Sequence, residues 1–172
     1  MCGFVGFTNF VDNSNQVLEN MMNKIIHRGP DSGGTYIDEG IALGFRRLSI
    51  IDLAQGDQPI LNEDGSKVLL FNGEIYNYQE IREKLVEAGH KFRTKTDSEV
   101  LLHGYEEYGK DLLNMLRGMF AFVIWDKNTK ELFGARDFFG IKPLYYSLSG
   151  ESFLFGSEIK SFLPHPHFKK VL

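Results

Sequence analysis

Apolar positions fall at helical spacing in some stretches of the chain and at strand spacing in others. Val17, Leu18, Met21, Met22, Ile25 and Ile26 recur three and four residues apart, ahead of the helix-stopping Gly29 and Pro30 in "HRGPDSGG". A second helix is predicted over "YQEIREKLVEAGH", where Ile81, Leu85 and Val86 share a face and Gly89 suits the left-handed C-terminal position. A third begins in "TDSEVLLHGYEEYG", with Asp97 or Ser98 placed to cap its first amides and Gly109 to end it. Strand-like runs are "IALGFRRLSII", "KVLLFNGEIY", "MFAFVIWD", "ELFGARD", "PLYYSL" and "SFLFGSE". Short polar turns such as "DKNTK" and "SGE" join several of them as hairpins, so the sheets are expected to be mostly antiparallel. Runs such as "FAFVIW" are apolar at every position and belong between two covering layers. The pattern predicts a layered sandwich with helices outside two sheets. No repeat, low-complexity tract or linker interrupts it, and only "LPHPHFKKVL" reads as the edge of the domain.

Composition narrows the picture. A chain of 172 residues, 42% hydrophobic, supports one sizeable core, and a single domain is expected. Nineteen basic against twenty-three acidic side chains give a net charge of −4, and no basic stripe could follow a phosphate backbone. Nucleic acid is therefore not an expected partner. One cysteine excludes an internal disulfide, and neither a leader nor a membrane-spanning run is visible; a soluble, cytoplasmic protein with no membrane partner is expected.

The single cysteine stands in the opening "MCGFVGF". Cys2 reads either as a small hydrophobe starting a buried strand or, once Met1 is removed, as a nucleophile carrying its own α-amine. "FNGEIYNY" is equally open, because Asn-Gly between strands commonly forms a type I′ turn. Other features suggest little chemistry. His165 and His167 fall short of a metal site, so no metal is expected. His27 is expected to hold the loop near the N-terminus. "DSGGTY" lacks the lysine and spacing of a phosphate loop, and the abundant aromatics read as core packing.

Taken together and in order, "MCGFVGF", "HRGPDS", "FRRLSIID", "FNGEIYNY", "TDSEV" and "ARDFFGIKPLYY" resemble the glutaminase domain of class II, N-terminal-nucleophile glutamine amidotransferases, and most closely that of glutamine-hydrolysing asparagine synthetases. The resemblance spans essentially the whole chain, residues 1–172, as one glutaminase domain without its synthetase domain. It implies an α+β fold, a four-layer αββα sandwich of two mostly antiparallel sheets. It also implies hydrolysis of L-glutamine to glutamate and ammonia through a Cys2 thioester, with ammonia passed to a synthetase domain, covalently or non-covalently attached.

The α-amine of an N-terminal cysteine is a suitable base, since ordinary thiol and α-amino pKa values, about 8.5 and 7.7–8.0, lie close together. The resemblance assigns Asn72 (side-chain amide) and Gly73 (backbone N–H) to the oxyanion, Arg47 to the substrate α-carboxylate with backbone groups of Leu48 and Ile50, and Asp97 with Glu74 to the α-ammonium. Asp97 can equally be a helix cap, or serve both roles. Arg46, on the other strand face, is expected to be a solvated or structural partner. No cofactor is implied for this domain; ATP and Mg are implied only for the missing synthetase domain. Two alternatives stay open: the glutaminase domain of another class II amidotransferase, or a non-catalytic glutamine-binding regulatory module in which Met1 is retained.

Overall fold

A computed structural model of the chain describes residues 2–48 and 57–170. It divides into two compact units, Met1–Pro59 with Pro143–Leu172, and Ile60–Lys142. Each is built on one antiparallel sheet.

The first unit contains β1 (Gly3–Thr8), α1 (Ser14–Lys24), β2 (Ser32–Asp38), β3 (Ile41–Arg47), β8 (Tyr145–Ser149) and β9 (Ser152–Gly156). The strands lie in the order β2-β3-β1-β9-β8. Strand β1 is central and buried from Gly3 to Phe7, consistent with its nearly unbroken apolar run. Helix α1 lays Leu18, Met21 and Met22 on Val5, Phe7, Ala42 and Leu154, and a turn of 3₁₀ helix, Ile26–Arg28, carries the chain away. Ile26 lies on the outside, in that 3₁₀ turn, because the helical face has ended before it.

The second unit holds β4 (Ile60–Leu61), β5 (Lys67–Ile75), α2 (Tyr78–Glu87), α3 (Asp97–Tyr108), β6 (Gly118–Asp126) and β7 (Glu131–Arg136), with strand order β4-β5-β6-β7. Strands β5 and β6 pair along their whole length, from Lys67 opposite Asp126 to Ile75 opposite Gly118. Ile81 and Leu85 of α2 and Val100, Leu101 and Leu102 of α3 pack with Leu69, Phe71, Ile75, Phe122 and Ile124. Val86, expected on the buried face, is exposed. Ile81 and Leu85 are one turn apart, whereas Val86 sits a further 100° round the helix.

Both predicted hairpins form. Strands β6 and β7 turn through Lys130 at φ 58°, with Asp126 accepting the Asn128 and Thr129 amides; β8 and β9 turn through Gly150 at φ 64°. Gly89 takes φ 103° after α2, where the His90 N–H donates to Leu85 O and closes the helix. Two strands were not predicted. Strand β2 includes Gly33 and Gly34, which weaken a strand pattern, and β4 is only two residues long. The α3 cap position belongs to Thr96, not to Asp97 or Ser98, and makes no side-chain cap bond. Glu99 instead reaches back to the N–H groups of Arg93 (2.7 Å) and Thr94 (2.8 Å). No described helix is long and apolar enough to cross a membrane.

The chain leaves β7 through a turn organised by the buried Asp137. Its carboxylate accepts N–H bonds from Phe120 (3.2 Å), Ile141 (2.9 Å) and Lys142 (2.9 Å). Burial works against the charge, but these amides outweigh it and hold the carboxyl below its usual range. Asp137→Ala would strand several donors and should lower stability by about 3 kcal/mol or more in urea unfolding. A carboxyl depressed in the folded state stabilises above its unfolded pKa and loses that contribution as pH falls through its folded value. The gap between wild type and Asp137→Ala should therefore narrow below the ordinary carboxylate range.

Candidate functional site

In the first unit, Gly3 pairs with Arg46, which sets Cys2 one residue beyond the start of β1 and beside the end of β3. The partly exposed Cys2 Sγ lies 3.4 Å from Leu48 N and 3.7 Å from Leu48 O, so the sulfur can accept from the amide or donate to the carbonyl. Arg28 Nε donates to Cys2 O (3.1 Å), while Arg28 Nη1 and His27 Nε2 meet Glu158 Oε1 at 3.1 and 2.9 Å. His27 thus braces this loop, as expected, but Arg28 and Glu158, which were not singled out, are what connect it to Cys2. A Cβ at Gly3 would come within 2.9 Å of Arg28 Cδ, so the arginine side chain would have to shift. Gly29 is the stricter requirement, since a Cβ there would run into the backbone of Arg46 and Arg47. The loop is pressed onto β3, where the Asp31 N–H donates to Arg47 O.

The two arginines separate as strand geometry demands. Arg46 Nη2 donates to Asn23 Oδ1 of α1 (2.7 Å). Arg47 is buried to 9% exposure, and its Nη1 meets Oδ1 of the exposed Asp57 at 3.0 Å. Ile50 lies outside the described residues.

In the second unit, Asn72 and Gly73 stand within β5, opposite Ala121 and Phe120 of β6. This rules out a type I′ turn at the Asn-Gly pair. Leu69, Phe71 and Ile75 face the helices, so Asn72 and Glu74 project from the opposite face. Asn72 is only 4% exposed, yet its Nδ2 has no hydrogen-bond partner among the described residues. A buried donor in that state is costly and is available to an incoming acceptor. Gly73 allows β6 to approach, because a Cβ would press into the Met119 carbonyl and within 2.7 Å of Phe120 Cα.

Glu74 is exposed, and the Ile75 N–H beside it donates to Asp97 Oδ2 (2.9 Å). Burial pushes the Asp97 carboxyl up, with Glu74 adding to the effect, while the amides of Ile75 and Ser98 pull it down. Asp97 therefore fastens the first turn of α3 to β5. The structure brings Cys2, Arg47 and Leu48 together in one unit and Asn72, Gly73, Glu74 and Asp97 together in the other.

A thiol held against a backbone amide is a candidate nucleophile, and, separately, a buried amide with no partner among the described residues is a candidate donor to an incoming acceptor. Comparison with known proteins supplies the family. The sequence profile described as "Glutamine amidotransferase domain" matches residues 1–172. The chain belongs to the glutamine amidotransferase domain family. Within the curated members, it is 49% identical over 168 residues to asparagine synthetase [glutamine-hydrolyzing] 1 of Bacillus subtilis (strain 168), covering 95% of this chain and 27% of that protein. It is 44% identical over 167 residues to asparagine synthetase [glutamine-hydrolyzing] 2 of Arabidopsis thaliana, covering 94% and 28%. This amidotransferase domain thus spans about a quarter of the length of those relatives. The solved glutamine phosphoribosylpyrophosphate amidotransferase from B. subtilis shares its fold, with a TM-score of 0.78 at 24% identity over 94% of this chain and 43% of that one.

Gly73→Ala tests the close strand approach. The added Cβ can be accommodated only by moving β6, so unfolding in urea should show a loss of about 1–3 kcal/mol.

Proposed function

We propose that this domain hydrolyses L-glutamine to L-glutamate and ammonia, with Cys2 as nucleophile. The observation that carries the proposal is the placement of the chain's one cysteine, Sγ 3.4 Å from Leu48 N, in a domain matched along its length by the amidotransferase family. With Met1 removed, the Cys2 α-amine takes the thiol proton as sulfur attacks the side-chain amide carbon. The same proton is delivered to the leaving nitrogen, so ammonia departs and a γ-glutamyl thioester remains. Water then attacks the thioester, releasing glutamate and restoring the thiol. These steps require no metal or organic cofactor.

Asn72 Nδ2 and the Gly73 N–H act as oxyanion donors; the unpartnered state of Nδ2 supports this, since a donor already stripped of water needs no reorganisation. The buried Arg47 guanidinium grips the substrate α-carboxylate in place of the exposed Asp57 carboxylate, whose pairing is of the weak surface kind. Leu48 and Ile50 contribute backbone groups to the same end of the substrate. Asp97 and Glu74, neither in an ion pair among the described residues, receive the α-ammonium. The similarity to asparagine synthetases supports ammonia delivery to an ATP- and Mg-dependent synthetase domain.

Extra residues ahead of Met1 convert the Cys2 amine to an amide. Ammonia release should then fall about 10²-fold or more, and proteolytic trimming that leaves Cys2 first should restore it. Cys2→Ala should be inactive in either form. Equal activity of extended and trimmed protein would overturn the mechanism, while inactivity of both with glutamine still bound would favour a regulatory module.

Steady-state kinetics separate the assigned roles. Asn72→Ala should lower kcat about 10²–10³-fold with little change in KM. Asp97→Asn keeps an oxygen for the Ile75 N–H but loses the charge, and should raise the KM for glutamine about tenfold or more. An unchanged KM would remove Asp97 from ammonium binding.

A further inference from the structure

His90, His103 and Glu106 each offer a ligand atom, and these atoms lie within 4.8 Å of one another. The three come from two elements. His90 follows the glycine that closes α2, while His103 and Glu106 are one turn apart on α3. Glu106 Oε2 lies 2.9 Å from His103 Nδ1 and 3.8 Å from His90 Nδ1. Those distances bracket the roughly 3.3 Å expected between ligand atoms of a tetrahedral site with bonds near 2.0–2.1 Å. His103 is buried, whereas His90 and Glu106 are partly exposed and give an ion a way in.

The groups behind these atoms are arranged as a metal site requires. A ligating histidine normally gives its other ring N–H to a carboxylate, which fixes its tautomer and orientation. His90 Nε2 faces Glu107 Oε2 at 3.1 Å, leaving Nδ1 toward Glu106. His103 Nε2 faces Glu63 Oε1 at 3.5 Å and Glu99 Oε1 at 3.6 Å, leaving Nδ1 toward the same oxygen. Glu106 Oε1 accepts from Asn62 Nδ2 (2.7 Å), so Oε2 is the oxygen aimed at both histidines. Phe92 packs edge-to-face with His103, and the Arg82 guanidinium lies over the Phe92 ring. Lys67, whose field reaches Glu106, is itself paired with Asp126 at 3.4 Å. Four carboxylates thus surround two imidazoles, an excess of negative charge suited to a dication.

We propose that His90 Nδ1, His103 Nδ1 and Glu106 Oε2 bind a zinc-class divalent cation that ties the end of α2 to α3. Two nitrogens and one oxygen, with a water in the fourth position, suit Zn²⁺ and its spectroscopic substitute Co²⁺. The site is independent of the proposed glutaminase chemistry, and its test does not require activity. Zn²⁺ titrated into the purified chain, followed by calorimetry, should bind at one equivalent and raise Tm with increasing zinc. Co²⁺ should give visible bands of a four-coordinate site that Zn²⁺ displaces.

One-equivalent binding should persist in Cys2→Ala and in His165→Ala/His167→Ala, and disappear in His90→Ala and Glu106→Gln, with far-UV circular dichroism verifying the fold. Glu107→Ala, which removes only the partner of His90, should weaken binding about tenfold or more. Absence of stoichiometric binding in the wild type would overturn the proposal. So would undiminished binding in folded His90→Ala, or loss of binding on changing Cys2 or the His165/His167 pair.

Discussion

The register of β1 against β3 is the constraint on which the placement of Cys2 depends. Gly3 opposite Arg46 puts the residue before the ladder, Cys2, next to the residue after it, Leu48. A slip of one position would turn every side chain of β1 to the other face of the sheet. That slip is opposed from both sides of the strand. The apolar contacts of Val5 and Phe7 with α1 set one face, and beyond the β9 ladder Phe4 exchanges bonds with Ser157, whose Oγ accepts the Phe4 N–H and whose N–H donates to Phe4 O. Arg28 then holds the carbonyl of Cys2, so a residue near the end of a chain, ordinarily free to fray, is fixed through its backbone.

Polar function in the second unit is inserted into an otherwise apolar strand. The long pairing of β5 with β6 supplies enough ladder bonds and buried surface to keep Asn72 in place although its Nδ2 has no partner among the described residues. Gly73 brings the neighbouring strand close, and Asp97 joins that strand to α3 through the Ile75 amide. The carboxylates of Glu74 and Asp97 are therefore tied to the strand that carries Asn72, not to a separate loop.

Much of this architecture was legible because its strands are long apolar runs and its turns have characteristic residues. Strands β5, β6, β7 and β9, the three helices and both hairpins follow from local pattern. Strand β2 was not visible, since two glycines hide its period, and Val86 was misplaced because one residue on a helix surface is a 100° rotation. At the candidate site, residue types and order were readable, but partnerships were not. Nothing local links Arg28 to Cys2, Arg47 to Asp57, or His90 to Glu106, because each contact is made by the fold bringing separate segments together. Placement alone removes the turn reading of Asn-Gly, which lies in mid-strand, and the cap position for Asp97, which is the first residue of the helix.

The amide of Asn72, without a partner among the described residues, also bears on how this strand tolerates change. A buried donor without an acceptor makes the folded state less stable than an apolar side chain of the same shape would. Selection for folding alone would favour an apolar side chain at this position. The strand is locally frustrated at a single position. Variation there would be expected to divide proteins into a sturdier group that has lost the donor and a less stable group that has kept it.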